Sequence, residues 1–274
     1  MKLSLSVRIA EGFLSKEEAT MDLEPLAKLA SEAGYEAICM RASQVGVQSS
    51  MDEQEAAARI LADQNLAVSM VTGDFPVVYN NERGPDCLRN ITPYLDLADR
   101  LGAQLIRVAV KQPEDIPHAQ SAADEAAERG LSLVHQCHTL SQFETVAGIE
   151  ETLGKIDRPN FGLIFEAANL EICGQDYGAA TVRKLAPWIK NVYLQNQRLD
   201  PDGAITLDTW CQGPGSFDLI QIHEPGGIAF EPIFEGLHDS GYDGWVTVHQ
   251  SAPDSGSPSD SARETAHYLK KFMH

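Results

Sequence analysis

One junction recurs along the chain: an amphipathic segment ends near Gly or Asn, and a short apolar run follows directly. The clearest copies read LASEAGYEAICMR from Leu29, LADQNLAVSMV from Leu61, LADRLGAQLIRVAV from Leu97, AAERGLSLVHQ from Ala126 and LHDSGYDGWVTVHQ from Leu237. Glycine at a helix end supplies a left-handed cap, and an uninterrupted apolar run is typical of a strand buried on both faces. The junction therefore predicts helices that lead into the strands of a parallel sheet.

The apolar runs recur at an even spacing. If the run from Leu3 is the first, predicted strands begin near residues 3, 36, 66, 104, 131, 162, 191 and 244. Amphipathic segments between them predict helices, for example over Asp22–Ala33, Met51–Asp63 and Asp260–Met273. Eight strands in 274 residues give about 34 residues per unit, the size of a βα repeat. The pattern predicts an α/β fold, a parallel (β/α)8 TIM barrel that forms a single domain over residues 1–274.

Three segments lack this periodicity and are predicted to be loops. Two of them, Asp74–Asp86 and Asp200–Gly227, follow predicted strands, and the third, SAPDSGSPSDS from Ser251, precedes the last helix. Loops that leave the carboxyl-terminal ends of barrel strands build the active site in this fold. We therefore expect Asp74–Asp86 and Asp200–Gly227 to surround the site and to set its specificity.

Charge and cysteine content argue against several classes of protein. The chain has 21 Lys and Arg against 40 Asp and Glu, so its formal net charge is −19. That charge repels nucleic acid and anionic membrane surfaces, and no apolar run is long enough to cross a membrane. Five scattered cysteines without a CxxC pair are typical of reduced thiols. We therefore expect a cytoplasmic protein that acts on a small molecule and binds neither nucleic acid nor a membrane.

Polar residues at the ends of the predicted strands form the candidate site, because the active site of a TIM barrel lies there. They are Arg8, Arg41, Arg107, Gln136, His138, Glu166, Asn169, Tyr193, Gln195 and His249. Glu166 follows the apolar run FGLIF, and burial of a lone carboxylate is costly, which favours a functional role. His249 follows WVTV in the same way. Strand alternation puts Gln136 and His138 on one face and His135 on the other, although either histidine could be a hydrogen-bonded core residue.

Several stretches resemble a known superfamily over nearly the whole chain. They are LASEAGYEAICMR, LADRLGAQLIRVAV, FEPIFEGLHDSGYDGWVTV from Phe230, and the glycine-rich GPGSFDL and HEPGGIAF. These stretches are similar to the xylose isomerase-like TIM barrels, which include sugar isomerases, epimerases, inosose dehydratases and apurinic endonucleases. The run HQCHT at His135–Thr139 is also similar to the histidine-rich strand five of the inosose dehydratase branch.

The resemblance implies a divalent metal site whose usual ligands are largely replaced here. Family enzymes commonly use Glu, Asp, His and Glu on strands five to eight, and these positions fall on Gln136, Glu166, Tyr193 and His249. Only Glu166 is a carboxylate, whereas a hard divalent ion is held by several anionic oxygens. The set that remains for zinc or manganese is Glu166, His249 and Gln136 with help from His138. We expect this set to bind zinc weakly and magnesium or manganese poorly.

The resemblance also implies roles for individual residues. Glu166, His249 and His138 are the expected catalytic residues, and the expected substrate-binding residues are Arg107, Gln136, Asn169, Tyr193, Gln195 and Arg198. Epimerases of the family use two glutamates as an acid/base pair, and Gln136 has no titratable proton. The first hypothesis is therefore a sugar or polyol isomerase, epimerase or dehydratase with an altered acid/base and metal site. The alternative is a metal-free carbohydrate-binding member without turnover; an apurinic endonuclease is disfavoured, and a homo-oligomer is expected by analogy.

Overall fold

Eight parallel strands close into a barrel in the computed structural model, which describes residues 1–252 and 257–273. They are β1 (Lys2–Ser6), β2 (Ala37–Arg41), β3 (Ala67–Thr72), β4 (Leu105–Arg107), β5 (Ser132–Gln136), β6 (Phe161–Glu166), β7 (Ile189–Leu194) and β11 (Trp245–Val248). β1 pairs in parallel with both β2 and β11, which closes the barrel. Each predicted strand start lies within two residues of an observed one, so the predicted (β/α)8 barrel is confirmed.

Helices occupy the connections between the barrel strands. They are α1 (Leu23–Ala33), α2 (Met51–Asp63), α3 (Phe75–Tyr79), α4 (Asp86–Arg89), α5 (Thr92–Leu101), α6 (Ile116–Glu128), α7 (Val146–Ile156), α8 (Ala167–Ile172), α9 (Ala179–Leu185), α10 (Phe230–Asp239) and α11 (Pro258–Leu269). Gly34 and Gly102 end α1 and α5 with φ of 91° and 70°, the left-handed caps that the recurring junction predicts. Among residues 1–252 and 257–273, no helix is long and apolar enough to span a membrane.

The last helix and two predicted loops differ from expectation. α11 begins at Pro258 rather than Asp260, because proline fits the first helical turn and the Ser257 side chain caps it. The segment Asp74–Asp86 contains α3, whose first turn is capped by the Asp74 carboxylate. The segment Asp200–Gly227 contains β9 (Ile205–Thr209) and β10 (Gly213–Leu219), which pair antiparallel and join β8 (Gln197–Leu199) in a small sheet. Residues 253–256 of the predicted loop from Ser251 lie outside the described residues.

Side chains of the barrel strands alternate between the barrel interior and the layer beneath the helices. The interior cluster is small and consists of Cys39, Met70, Val134, Ile164 and Tyr193. His135 points the other way: its ring lies edge-on against Phe143, and its Nδ1 donates to the Val108 carbonyl at 2.9 Å. Burial lowers the pKa of His135 to about 3, so this histidine is a neutral core residue.

We predict that His135→Asn makes the protein less sensitive to acid. The asparagine amide can still donate to the Val108 carbonyl, but it does not titrate. In the parent the folded-state pKa of His135, about 3, lies below the unfolded value of 6.5. Protons therefore bind preferentially to the unfolded chain as the pH falls below 6.5, and this lowers the free energy of unfolding by up to about 1.4 kcal/mol per pH unit.

Urea unfolding of both proteins at several pH values between neutrality and mild acid measures this effect. The difference in free energy of unfolding between parent and variant should shift in favour of the variant as the pH falls. An identical pH dependence for the two proteins would contradict the assignment of a neutral, buried His135.

Candidate active site

A cavity opens at the carboxyl-terminal ends of the barrel strands and encloses about 170 Å³. This volume is below the range of pockets for drug-sized ligands, so the cavity suits a small metabolite. Seven of the nine residues predicted for the site line it: Arg107, Gln136, His138, Glu166, Asn169, Gln195 and His249. Tyr193 is buried beneath the cavity mouth in the barrel interior. Arg198 lies apart on β8, where its side chain donates to the Pro225 carbonyl at 3.2 Å.

The Glu166 carboxylate ends β6 and is held by two amides. The side-chain nitrogens of Gln136 and Asn169 both donate to its Oε2. Within the described chain Oε1 makes no hydrogen bond, so it is the oxygen available to a ligand. Burial raises the pKa of Glu166, and this effect outweighs the two amides and the Arg107 charge, which lower it. Glu166 is therefore a fixed carboxylate with one oxygen in use and one open.

His249 follows β11 and uses both ring nitrogens. Its ring stacks on that of Tyr193 with centroids 3.7 Å apart, its Nδ1 lies 3.1 Å from the Ser6 hydroxyl and its Nε2 lies 3.3 Å from Arg41 Nη1. A guanidinium only donates hydrogen bonds, so Nε2 is the acceptor and Nδ1 carries the hydrogen that is donated to Ser6. Burial and, next, the Arg41 charge lower the pKa of His249 well below its ordinary value. The ring is therefore neutral, and each of its nitrogens has a hydrogen-bond partner within the protein.

His138 differs from His249 because one of its nitrogens is open. Its Nδ1 lies 3.1 Å from the Asn80 amide nitrogen and 3.0 Å from the Thr139 carbonyl oxygen. Its Nε2 has no hydrogen bond to the residues described and belongs to a side chain that lines the cavity. Burial and then the Arg107 charge lower the pKa of His138 well below its ordinary value. His138 thus offers the cavity a neutral imidazole nitrogen.

A group of basic side chains enters the cavity from the β1 and β2 side. Arg8 and Arg41 were expected at strand ends but were given no role, and Lys16 was not expected at the site. The Arg41 guanidinium donates through Nε and Nη2 to the two carboxylate oxygens of Glu11, at 3.0 and 2.9 Å. The available signal was that arginine stands at or just after the ends of β1, β2 and β4, in VRI, MRA and IRV.

Arg107 is buried in this cavity without a partner. In the described residues its guanidinium makes no hydrogen bond and no ion pair, and its buried Nε is unsatisfied. Burial lowers its pKa, and Arg41 lowers it further. The buried carboxylates at the cavity, Glu11 and Glu166, number two against the three guanidiniums of Arg8, Arg41 and Arg107. The site therefore carries an excess of one buried positive charge.

The family of the chain follows from a comparison with models of known protein families. The model described as xylose isomerase-like TIM barrel matches residues 27–272. The chain belongs to the xylose isomerase-like TIM barrel family. This membership confirms the resemblance inferred from the glycine-rich and strand-leading stretches of the sequence, and it agrees with the closed barrel of eight parallel strands.

Relatives with a named activity include inosose dehydratases. That of Geobacillus thermodenitrificans is 24% identical over 151 residues, which cover 54% of this chain and 50% of the relative. That of Clostridium perfringens strain 13 is 27% identical over 151 residues, which cover 53% of this chain and 50% of the relative. The chain thus spans about half the length of the inosose dehydratases that it matches.

Solved structures with the same fold cover the chain almost completely. The probable 3-DHS dehydratase of Bacillus anthracis has a TM-score of 0.72 and 16% identity, covering 98% of this chain and 99% of that one. A D-psicose 3-epimerase has a TM-score of 0.72 and 12% identity, covering 100% and 99%. A xylose isomerase-like TIM barrel protein of Mycobacterium smegmatis, in complex with magnesium, has a TM-score of 0.72 and 15% identity, covering 100% and 98%. At these identities the likeness shows the fold alone.

The residues at the family's metal position do not fit a divalent cation. The acceptor nitrogen of His249 faces the Arg41 guanidinium, and one oxygen of Glu166 already accepts from two amides. The nearby charges are mainly positive, and Gln136 and Tyr193 add no negative charge. A hard cation binds where anionic oxygens converge, which is the opposite arrangement. Of the zinc or manganese set expected from sequence, His249 and one oxygen of Glu166 are taken by protein donors, and the oxygens left open, Glu166 Oε1 and Gln136 Oε1, carry at most one negative charge beside Arg107.

A different cluster brings metal-binding side chains together within residues 1–252 and 257–273. Ligand atoms of Glu144, Cys173 and Cys211 lie within 4.8 Å of one another. The Glu144 oxygens, however, accept from three backbone N–H groups, those of Leu140, Trp210 and Cys211, at 2.6 to 2.8 Å. This carboxylate therefore ties the loop after β5 to the turn between β9 and β10.

We predict that Mg²⁺ and Mn²⁺ leave the melting temperature of the protein unchanged and that neither is retained after dialysis, because the cavity charges repel them. Thermal unfolding with and without each salt, and elemental analysis of the dialysed protein, measure this. The double variant Cys173→Ser/Cys211→Ser is the control for zinc held by the two thiols. Zinc or manganese bound one per chain to this double variant, and lost on Glu166→Gln, would contradict the expectation.

Proposed function

We propose that the chain is a metal-independent isomerase of a small, carbohydrate-like hydroxy compound, with Glu166 as the base. The observation that carries the proposal is the pinned Glu166 carboxylate, whose Oε2 accepts from Gln136 and Asn169 while Oε1 stays open. Isomerisation by a proton shift between adjacent carbons needs one base that can remove a proton and return it. A carboxyl with a raised pKa is better matched to that task than an exposed one.

The proposed step needs no co-reactant beyond the substrate and the side chains. Glu166 Oε1 takes the proton from the carbon that bears the hydroxyl, and the electrons of that C–H bond move into the neighbouring carbonyl, whose oxygen becomes an enolate. Protonated Glu166 then delivers a proton to the adjacent carbon, either the one it removed or one that the carboxyl has exchanged with solvent. The hydroxyl proton moves between the two substrate oxygens, and we assign this transfer to the open nitrogen of His138, which lines the cavity.

Arg107 is the group that stabilises the enolate oxygen in this proposal. Its guanidinium lines the same cavity as Glu166 and has no competing partner among the residues described. A fixed cation in a water-poor cavity stabilises developing negative charge strongly, since no reorganisation is needed during the reaction. A permanently charged guanidinium thus takes the part that a Lewis-acid metal takes in other enzymes.

The names of similar proteins support a carbohydrate-like substrate. Inosose dehydratases are named for a dehydration of a polyhydroxy ketone, and a D-psicose 3-epimerase for a change at one carbon of a ketose. A dehydratase would use the same base and add the loss of a hydroxyl. Epimerisation needs a second base on the opposite face, and His249, the counterpart there, has both nitrogens engaged. The arrangement therefore favours a single-base isomerase.

Binding without turnover is the second candidate function. The observation that favours it is again His249, because a neutral ring held by Ser6 and Arg41 contributes no proton to a reaction. In that case Glu166 and Arg107 would only recognise substrate oxygens. The two candidates differ in one measurable property, the exchange of a carbon-bound substrate proton with solvent.

We predict that Glu166→Gln lowers the rate of carbon–hydrogen exchange about 10²- to 10⁴-fold, since it removes the base and keeps the shape of the side chain. The measurement is NMR of aldoses, ketoses and polyol-derived ketones incubated with protein in deuterium oxide. Glu171→Gln, the same change on α8 outside the cavity, is the matched control and should keep the parent rate. Ligand affinity that survives Glu166→Gln, with no exchange in any protein, would instead support binding without turnover.

We predict that Arg107→Met lowers kcat about 10²- to 10³-fold and changes KM much less, because the guanidinium acts on charge that develops during the reaction. Arg107→Lys keeps the charge and should restore part of kcat. Steady-state kinetics on the substrate found by deuterium exchange measure the split between kcat and KM. A rise in KM with unchanged kcat would assign Arg107 to ground-state binding alone.

A further inference from the structure

Arg8 is a second buried arginine whose guanidinium lacks a hydrogen-bond partner. It lies in the 3₁₀ turn Val7–Ala10 after β1, is 4% exposed and lines the cavity. Its guanidinium makes no hydrogen bond to the residues described, its buried Nη1 is unsatisfied, and Glu11 Oε2 is 3.9 Å away. A guanidinium has five N–H donors, and a buried charge without close partners is destabilising. The unsatisfied Arg8 guanidinium therefore lowers the free energy of unfolding, and a ligand that accepts its hydrogen bonds would remove this loss.

Lys16 adds a second basic group beside Arg8. The Lys16 Nζ lies 6.0 Å and the Arg8 Cζ 5.0 Å from the centroid of the same Phe13 ring, and Lys16 also lies 5.3 Å from the Tyr79 ring. No described carboxylate pairs with Lys16. The charge of Arg8 disfavours protonation of Lys16, since two cations beside one aromatic ring repel each other. The aromatic rings offset part of this repulsion, but they form no hydrogen bonds with the N–H donors.

Glu11 cannot neutralise this pair, because it is committed elsewhere. Both of its oxygens accept from Arg41, and the Ser43 hydroxyl donates to Oε1 as well. The nearest other buried carboxylate at the cavity is Glu166, which two amides hold. Asp208, an exposed residue of β9, also lines the cavity but forms no ion pair with Arg8 or Lys16. No described carboxylate therefore hydrogen-bonds to Arg8 or Lys16, although both reach the cavity where a ligand would lie.

We propose that Arg8 and Lys16 bind an anionic group of the ligand, so that the substrate is a hydroxy acid or another singly charged anion rather than a neutral sugar. One carboxylate balances the excess of one buried positive charge at the cavity. Carboxylate oxygens also match the fork of a guanidinium. This inference rests on the proposed function only for the reaction, which takes place on the part of the ligand away from the anionic group. Anion binding is measurable whether or not turnover occurs.

Protonation of Lys16 provides a readout that does not depend on activity. Burial and the charges of Arg8, Arg41 and Arg107 lower the pKa of Lys16 to about 6, and Glu11 raises it. The facing histidines, His138 and His249, are neutral and do not compete for a proton. A bound anion stabilises the ammonium, so binding at neutral pH should draw a proton from solution onto Lys16.

The experiment is calorimetric titration of the parent with matched three-carbon and six-carbon series: glycerate, glycerol 3-phosphate and glycerol, then gluconate, glucose 6-phosphate and glucitol. We expect a carboxylate to bind at least tenfold more tightly than its neutral counterpart, with proton uptake seen in buffers of different ionisation enthalpy. Tighter binding of the phosphates would assign the site to phosphate monoesters. Equal or weaker binding of every anion than of its neutral polyol would overturn the proposal.

Variants separate a ligand-binding role from a structural one. Arg8→Met and Lys16→Met should each weaken anion binding at least tenfold, and Lys16→Met should abolish the proton uptake. Without ligand, Arg8→Met should melt at the parent temperature or higher, because it removes a buried, unpartnered charge. Arg8→Lys tests the same point if Arg8→Met does not fold. Arg59→Met, a change at an exposed arginine of α2, is the control and should leave affinity unchanged.

Glu166→Gln separates this inference from the proposed function. If the variant binds the anion with parent affinity and no protein exchanges a carbon-bound proton, the isomerase proposal fails and anion binding stands. If exchange occurs on neutral ketoses and is insensitive to Arg8→Met, anion binding fails and the isomerase proposal stands.

Discussion

The buried ion pair between Arg41 and Glu11 determines the chemistry of the barrel mouth. Because Glu11 accepts both donors of the guanidinium fork, Arg41 can stay buried at the end of β2. The remaining Arg41 nitrogen then faces His249 and sets that ring as a neutral acceptor. Since Glu11 is committed to Arg41, Arg8 lies 3.9 Å from the Glu11 carboxylate, beyond hydrogen-bond distance. One pair thus explains both the engaged histidine and the unpartnered arginine.

The net charge of the chain and the charge of its cavity have opposite signs. Of the 40 acidic residues, the described structure buries Glu11, Asp115, Glu144 and Glu166, and of the 21 basic residues it buries Arg8, Arg41, Arg107 and Lys111. The buried charges cancel, so the described interior contributes nothing to the excess of −19. Over distances longer than about 10 Å salt screens the surface charge, whereas a ligand inside the cavity meets the guanidiniums at close range. An acidic composition is thus compatible with an anionic ligand.

The fold was predictable because the signal for it is local and repeated. A left-handed residue followed by an apolar run marks most of the junctions from helix to strand, and Gly34 and Gly102 adopt the left-handed conformation that this signal requires. The small antiparallel sheet was not predictable in the same way. ITLDT alternates Ile205 and Leu207 with polar residues but is only five residues long and half-exposed, and GPGSFDL contains two glycines and a proline, so neither resembles the buried apolar runs of the barrel.

The site was predictable where the residue stands at a strand end, as Glu166 and His249 do. The charge of the site was not predictable, because it depends on distances across the barrel. Without the amides of Gln136 and Asn169, Glu166 would be expected to be a metal ligand. Lys16 lies in an irregular segment after β1 that carries no sequence signal for the cavity. Tyr193 is the opposite case: its sequence position matches a ligand of the family, but its ring lies in the barrel interior and does not line the cavity.

A guanidinium in place of a metal changes how the site relates to folding. A metal ion can leave, and its ligands then become protonated or solvated, whereas Arg107 and Arg8 remain charged in the folded chain at every physiological pH. The barrel must therefore hold its unpartnered cations through packing alone until a ligand arrives. Anything that binds only the folded state stabilises it. A ligand whose oxygens accept hydrogen bonds from Arg8 and Arg107 binds more tightly for this reason, because its negative charge also reduces the repulsion between the arginines.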